Sequence, residues 1–265
     1  MDLVKSVLLG IIQGLTEFLP VSSSGHLVIF GHFLDFKRPD TSFEVILHTG
    51  SLVAVLIYFR KDILTLMKSL LHIRSEEYRK SHFTILYLMC ATIATAVVGI
   101  LLEDFFEKLF QAPVYAGLFL VVNGFILILS DKSGKERFNI DEIGIPRSII
   151  IGLGQSLAIL PGISRSGTTI AVSIAGGLKR SDAARFSFLL SVPAIAGAAV
   201  LKLDEIKALN LGDGLTYLAG AAAAFVSGYL VISLLITMIR KQKLKYFAFY
   251  CWALAAVSLT ILGLQ

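Results

Sequence analysis

The sequence predicts an all-α integral membrane protein, six transmembrane helices and two re-entrant helical hairpins arranged as an inverted-topology repeat. Three observations carry that expectation. Of 265 residues, 55% are hydrophobic and 16% charged, with a mean hydropathy of +0.78, whereas a soluble domain needs more charge to cover its surface. The stretch Gln13-Gly-Leu-Thr-Glu-Phe-Leu-Pro-Val-Ser-Ser-Ser-Gly-His26 returns in degenerate form 142 residues later as Gln155-Ser-Leu-Ala-Ile-Leu-Pro-Gly-Ile-Ser-Arg-Ser-Gly167, matching Gln13/Gln155, Leu15/Leu157, Ser22/Ser164, Ser24/Ser166 and Gly25/Gly167 without a gap. The apolar segments beside each copy are also short, and a membrane-spanning helix needs about 20 mostly apolar residues.

Taken in order, residues 3–19 approach the spanning limit, but the piece from 27 to 34 falls well below it. The pair therefore forms a hairpin that enters and leaves on one side, with its tip at 20–25. Lys5 ahead of the apolar run 7–12 has the outline of a signal peptide. Gln13 and Glu17 interrupt that run where a signal peptide is cleanest, and the internal copy makes the segment part of the architecture. Residues 43–59 span and end in Arg60-Lys61-Asp62, which opens a loop of mixed polarity to about residue 82. Residues 83–102 span, a short amphipathic link follows, and 114–130 span again. The charged link 131–147 divides repeat 1 (about 1–130) from repeat 2 (about 148–265) within a single membrane domain. In repeat 2 the short segments 148–160 and 170–178 flank the loop 161–169 as a second hairpin. Residues 186–201, 215–239 and 246–264 then span, the last opening on Tyr246, Phe247, Phe249, Tyr250 and Trp252 as an interfacial aromatic belt.

Three crossings per repeat turn the second repeat upside down relative to the first. The loops on one side carry 17 Lys and Arg residues, against six on the other (Lys5, Lys37, Arg38, Lys108, Lys202 and Lys207), with Arg165 left inside a motif. The positive-inside rule makes the richer side cytoplasmic and puts both termini outside. The first hairpin then enters from the outer face, the second from the cytoplasmic face, and their polar tips meet inside the bilayer. The net charge of +5 reflects this loop bias and attraction to the headgroups of membrane lipids, not nucleic acid. Cys90 and Cys251 each lie inside an apolar run and read as packing residues, not as a disulfide or a zinc site. The small-residue run Ala219-Gly-Ala-Ala-Ala-Ala224 suits packing within one chain or between two chains of a homodimer.

Non-helical backbone and ionisable side chains at membrane depth are functional candidates by default. Glu17, His26 and Arg165 fall in that class, beside Ser22, Ser23, Ser24, Ser164 and Ser166. Singly, Glu17 also reads as a protonated carboxyl bonding a neighbouring helix and His26 as a satisfied interior imidazole, each the lesser reading. Together, on two related loops, they read as an anion cradle. Gly25 and Gly167 precede short helices whose positive ends face the ligand, Arg165 offers a planar fork, and Thr168 or Thr169 caps a helix or donates a further hydrogen bond. No nucleotide-binding glycine consensus is present. Hydrolysis adds a nucleophile: Ser23 or a neighbouring serine, with His26 accepting its proton and Glu17 orienting the imidazole, while attack by water or by His26 itself uses the same residues. Gln13 and Glu17, four apart, share a helical face able to ligate a divalent ion. Glu44 and His48 share the same spacing and read as cavity polarity.

At this point Gln13-x-x-x-Glu17, Pro20-Val-Ser-Ser-Ser-Gly-His26 and Pro161-Gly-Ile-Ser-Arg-Ser-Gly167 resemble the signature motifs of the bacterial undecaprenyl-diphosphate phosphatase family, the bacitracin-resistance type, and Phe43-Glu-Val45 and the overall length fit as well. The resemblance implies an inner-membrane enzyme that removes the terminal phosphate of undecaprenyl diphosphate and so recycles the lipid carrier of peptidoglycan synthesis. It implies a divalent cation, Mg2+ or Ca2+, and an active site open to the periplasm. It maps the acidic motif to Gln13 and Glu17, the serine-histidine motif to Ser22, Ser23 and His26, and the phosphate-binding motif to Ser164, Arg165, Ser166 and Thr169. Many members carry Glu where this chain has Gln13. Broken helices in inverted repeats also suit a secondary transporter or flippase for an anionic or polyprenyl-phosphate substrate. Against that alternative, Glu17 and His26 are matched by Ile159 and Thr168 in the second copy, so only one half carries acid/base groups.

Overall fold

The computed structural model describes residues 3–33, 41–110, 112–132, 136–201 and 214–262, which form twelve α-helices and two 3-10 turns. Lys37, Arg38, Lys135, Lys202 and Lys207 of the charge count lie outside the described residues, as do position 34 of the first hairpin and 264 of the last span. The first hairpin is α1 (Leu3–Phe18) and α2 (Ser23–Phe33). At 1.5 Å per residue, even α1 covers only about 24 Å, short of a bilayer core of about 30 Å. The helices α3 (Thr41–Tyr58), α4 (Arg60–Leu71), α5 (Arg79–Leu101), α6 (Glu103–Phe110) and α7 (Pro113–Lys132) complete the first repeat. The second hairpin is α8 (Ile145–Leu157) and α9 (Arg165–Ala175), and α10 (Arg180–Leu201), α11 (Gly214–Arg240) and α12 (Lys245–Leu262) follow.

Five helices, α5, α7, α10, α11 and α12, are long and apolar enough to cross a membrane, and α3 makes a sixth span when taken with α4, from which it is bent by 78°. The stretch expected as a loop after residue 60 is thus largely a helix. Its mixed polarity becomes one-sided once wound at 100° per residue: Ser69 is buried while Leu64, Met67 and Leu71 are exposed.

The repeats interlock. α1 packs along α11 of the second repeat, and in the matching way α8 packs along α5 of the first; α7 pairs with α12 and α3 with α10. Helices in lipid gain little from hydrophobic exclusion and pack where small residues let backbones approach. A Cβ on Gly14 would collide with Ser227 Oγ and the Ala224 carbonyl, and one on Gly10 with the Gly220 carbonyl. The run 219–224 is therefore used within the chain. Under the hairpins, Phe188 packs against Phe18 and Phe59 with ring centroids 5.8 and 5.5 Å apart, over buried Ile170, Ile174 and Val231.

Candidate active site

Both hairpin tips are built by the same device. Ser22 Oγ accepts the Gly25 N–H (3.2 Å) and Ser164 Oγ accepts the Gly167 N–H (3.1 Å), so each serine caps a short helix. Each cap also pairs with the next matched serine, Ser22 with Ser24 at 3.2 Å and Ser164 with Ser166 at 3.1 Å. Helix therefore begins at Ser23 and Arg165, earlier than expected, and Gly25 and Gly167 lie within the first turns instead of ahead of them. Thr169 turns to α10, where its hydroxyl meets Ser187 Oγ at 2.5 Å and donates to the Arg165 carbonyl at 2.8 Å. Thr168 Oγ1 is buried without a hydrogen-bond partner among the described residues.

The tips hold each other. Ser22 Oγ also accepts the Gly162 N–H at 3.2 Å, and the Leu19 carbonyl accepts Ser166 Oγ at 3.3 Å. Gly25 passes so close to Gly162 that a Cβ would stand 2.9 Å from its Cα, and Gly162 has a φ of 104°, open to glycine. Asn123 of α7 joins the two loops: its Nδ2 donates to the Pro20 carbonyl at 2.9 Å and its Oδ1 accepts the Ser164 N–H at 3.0 Å.

This clamp brings Glu17, at the end of α1, onto Arg165, at the start of α9. Glu17 Oε1 is ion-paired with Arg165 Nη2. Its Oε2 accepts Ser23 Oγ at 2.7 Å and Gln13 Nε2 at 3.0 Å. Gln13 Nε2 also lies 2.9 Å from His48 Nδ1, which is itself 3.3 Å from Glu17 Oε2. Two buried polar atoms of the cluster have no hydrogen-bond partner among the described residues: the acceptor Gln13 Oε1 and the donor Arg165 Nη1.

His26 does not join it. The Ser22 carbonyl only accepts, so Nδ1 carries the hydrogen and donates at 2.7 Å, while Nε2 takes the hydroxyl of Tyr250 at 2.8 Å. Neither nitrogen is bonded to Ser23 or Glu17, so the expected Ser23-His26-Glu17 relay is not formed. The reason is helical: four residues beyond the cap, His26 folds back onto Ser22, while Ser23, a fraction of a turn away, faces α1.

A family model described as bacitracin resistance protein BacA matches residues 6–257. The chain belongs to that family. Proteins named undecaprenyl-diphosphatase from Methanobrevibacter smithii and Halothermothrix orenii are each 41% identical to it, over 97% of this chain and 96% of the first relative, and over the whole of both chains for the second. One of the same name from Rubrobacter xylanophilus is 40% identical over 99% of each chain.

For this BacA-family chain the fit of a divalent cation turns on Gln13 Oε1. An unpartnered amide oxygen beside a carboxylate is a hard-oxygen pair of the kind Mg2+ and Ca2+ take. Among the described residues no three His, Cys, Asp or Glu side chains converge as a cage, so the pair fits a cation whose remaining ligands are phosphate oxygens and water. Three residues have places in the site that their sequence context alone does not give. His48, read as cavity polarity, touches Gln13 in the cluster. Asn123, the clamp between the loops, has a sequence signal in being a lone amide in the middle of an apolar span. Tyr250, read as belt, reaches inward to His26.

Proposed function

We propose that this chain hydrolyses undecaprenyl diphosphate to undecaprenyl phosphate and inorganic phosphate, and so recycles the lipid carrier of peptidoglycan and related polymers, with bacitracin resistance as a consequence. The observation that carries the reading is Arg165, tied to Glu17 through Nη2 while Nη1 is buried with no partner among the described residues, beside a Glu17-bound Ser23. A guanidinium with one arm fixed and one open suits a phosphate oxygen. The relatives' shared name supports the lipid diphosphate as the ligand.

In this reading Arg165 Nη1 binds the terminal phosphate and the isoprenoid lies against the helices at the outer leaflet. Ser23 Oγ, oriented by its hydrogen bond to Glu17, attacks the terminal phosphorus and the bond to the bridging oxygen breaks, releasing undecaprenyl phosphate. The serine proton passes to Glu17 as Arg165 shifts its charge to the phosphate, and water then cleaves the phosphoserine. A divalent cation, Mg2+ or Ca2+, held by Gln13 Oε1 and Glu17, would neutralise charge on the diphosphate. The site faces the periplasm and both termini lie outside, as the Lys and Arg distribution of the loops favours.

The test is phosphate release from undecaprenyl diphosphate by purified protein in detergent, with and without EDTA, for wild type, Arg165→Ala and Ser23→Ala. Release that both substitutions and chelation abolish is expected. A folded wild type that releases no phosphate with cation present would overturn the reading and leave carriage of the lipid as the function to test.

A further inference from the structure

We infer that Tyr250 is a positioning residue of this site, acting through His26 on the turn that presents Ser23; the inference rests on the phosphatase reading above. Ser22, the cap of α2, is one of two non-glycine residues with a positive φ among those described, at 70°. A side chain in that region is strained and persists only where its surroundings hold it. The Ser22 hydroxyl is held by Gly25, Gly162 and Ser24, and its carbonyl by His26, whose backbone N–H and Nδ1–H both reach it, at 3.2 and 2.7 Å.

His26 is itself 1% exposed, so no solvent fixes its tautomer or its rotation. Tyr250 does so from α12, in the opposite repeat. Its ring lies parallel to the imidazole, 2° between planes and 5.6 Å between centroids, and its hydroxyl meets Nε2 at 2.8 Å. Tyr250 is 46% exposed, but its hydroxyl makes no other hydrogen bond among the described residues. A phenol on an apolar boundary needs one polar partner, and here the partner is the imidazole. Donation from Tyr250 to Nε2 requires the hydrogen on Nδ1, the tautomer that grips Ser22. The relay Tyr250 to His26 to the Ser22 carbonyl thus holds the strained turn from which Ser23 Oγ reaches Glu17.

The experiment uses the full-length protein in detergent, 15N-labelled at histidine, as wild type and Tyr250→Phe, which keeps the ring and removes the donor. The His26 signals are assigned by their loss in His26→Gln. The expected result is a shifted His26 Nε2 resonance together with a kcat about ten-fold lower, a KM within about two-fold and an unchanged unfolding temperature, in line with loss of one buried hydrogen bond felt at the transition state. An unmoved resonance, an unmoved kcat, or a loss of rate that only follows a lower unfolding temperature would overturn the inference. A wild type that releases no phosphate overturns the phosphatase reading instead, and the resonance then decides alone whether Tyr250 sets the His26 tautomer.

Discussion

In the proposed reaction Arg165 takes two tasks with one planar group: Nη2 is bound to Glu17, and Nη1, without a partner among the described residues, is the arm offered to phosphate. Arg165→Lys keeps the charge but supplies a single point donor, so it is expected to lose activity nearly as far as Arg165→Ala, on the order of a hundred-fold or more in kcat. Steady-state phosphate release measures this, and a Lys variant near wild-type rate would show that charge alone suffices. Gln13 gives a second test. Its amide donates to Glu17 and lies beside His48, and a carboxylate cannot make that donation. Gln13→Glu places a second negative group against Glu17, so a cation is needed to hold the pair together. A titration with Mg2+ should show half-maximal activity at lower cation concentration than in wild type, and lower activity after EDTA. An unchanged titration would remove Gln13 from the cation's surroundings.

The hairpins are elements that neither their own sequence nor lipid could support alone. Their tips are unwound backbone, satisfied by serine caps and by Asn123, whose amide occupies the Pro20 carbonyl and the Ser164 N–H. Asn123→Ala leaves the Ser164 N–H buried and unpaired, at about 1–3 kcal/mol, and leaves the Pro20 carbonyl only the weak 3.9 Å thiol bond of Cys251. A lower unfolding temperature in detergent and a steep loss of activity are expected together, and a variant as stable as wild type would mean that another group, such as water, takes over both bonds. Where α1 meets α11, Gly14→Val would force a branched side chain into Ser227 and the Ala224 carbonyl. Overpacking of this kind costs about 1–3 kcal/mol, and the same thermal scan would register it.

At the scale of the molecule, each hairpin leans on a helix of the opposite repeat, α1 on α11 and α8 on α5. Residues 1–134 and 135–265 expressed separately are expected to yield no folded protein, while co-expression restores phosphatase activity; a folded single half would contradict the interlock. Helical composition, the short length of the hairpin pieces, the pairing of Gln13-to-Gly25 with Gln155-to-Gly167 and the importance of Glu17, Ser23 and Arg165 as candidates were all legible in the chain. Each is a property of spacing and residue type along one strand of sequence, where periodicity and bilayer thickness act locally. The partners of those residues were not. That Glu17 meets Arg165, 148 residues away, that His26 turns to Ser22 and Tyr250 instead of Ser23, and that Gln13 borders His48 were decided by helix rotation and by packing of the two repeats. A linear sequence records which groups exist and which helical face they share. It leaves open which faces of different helices meet, because that depends on small-residue contacts and loop clamps contributed by segments far apart in the chain.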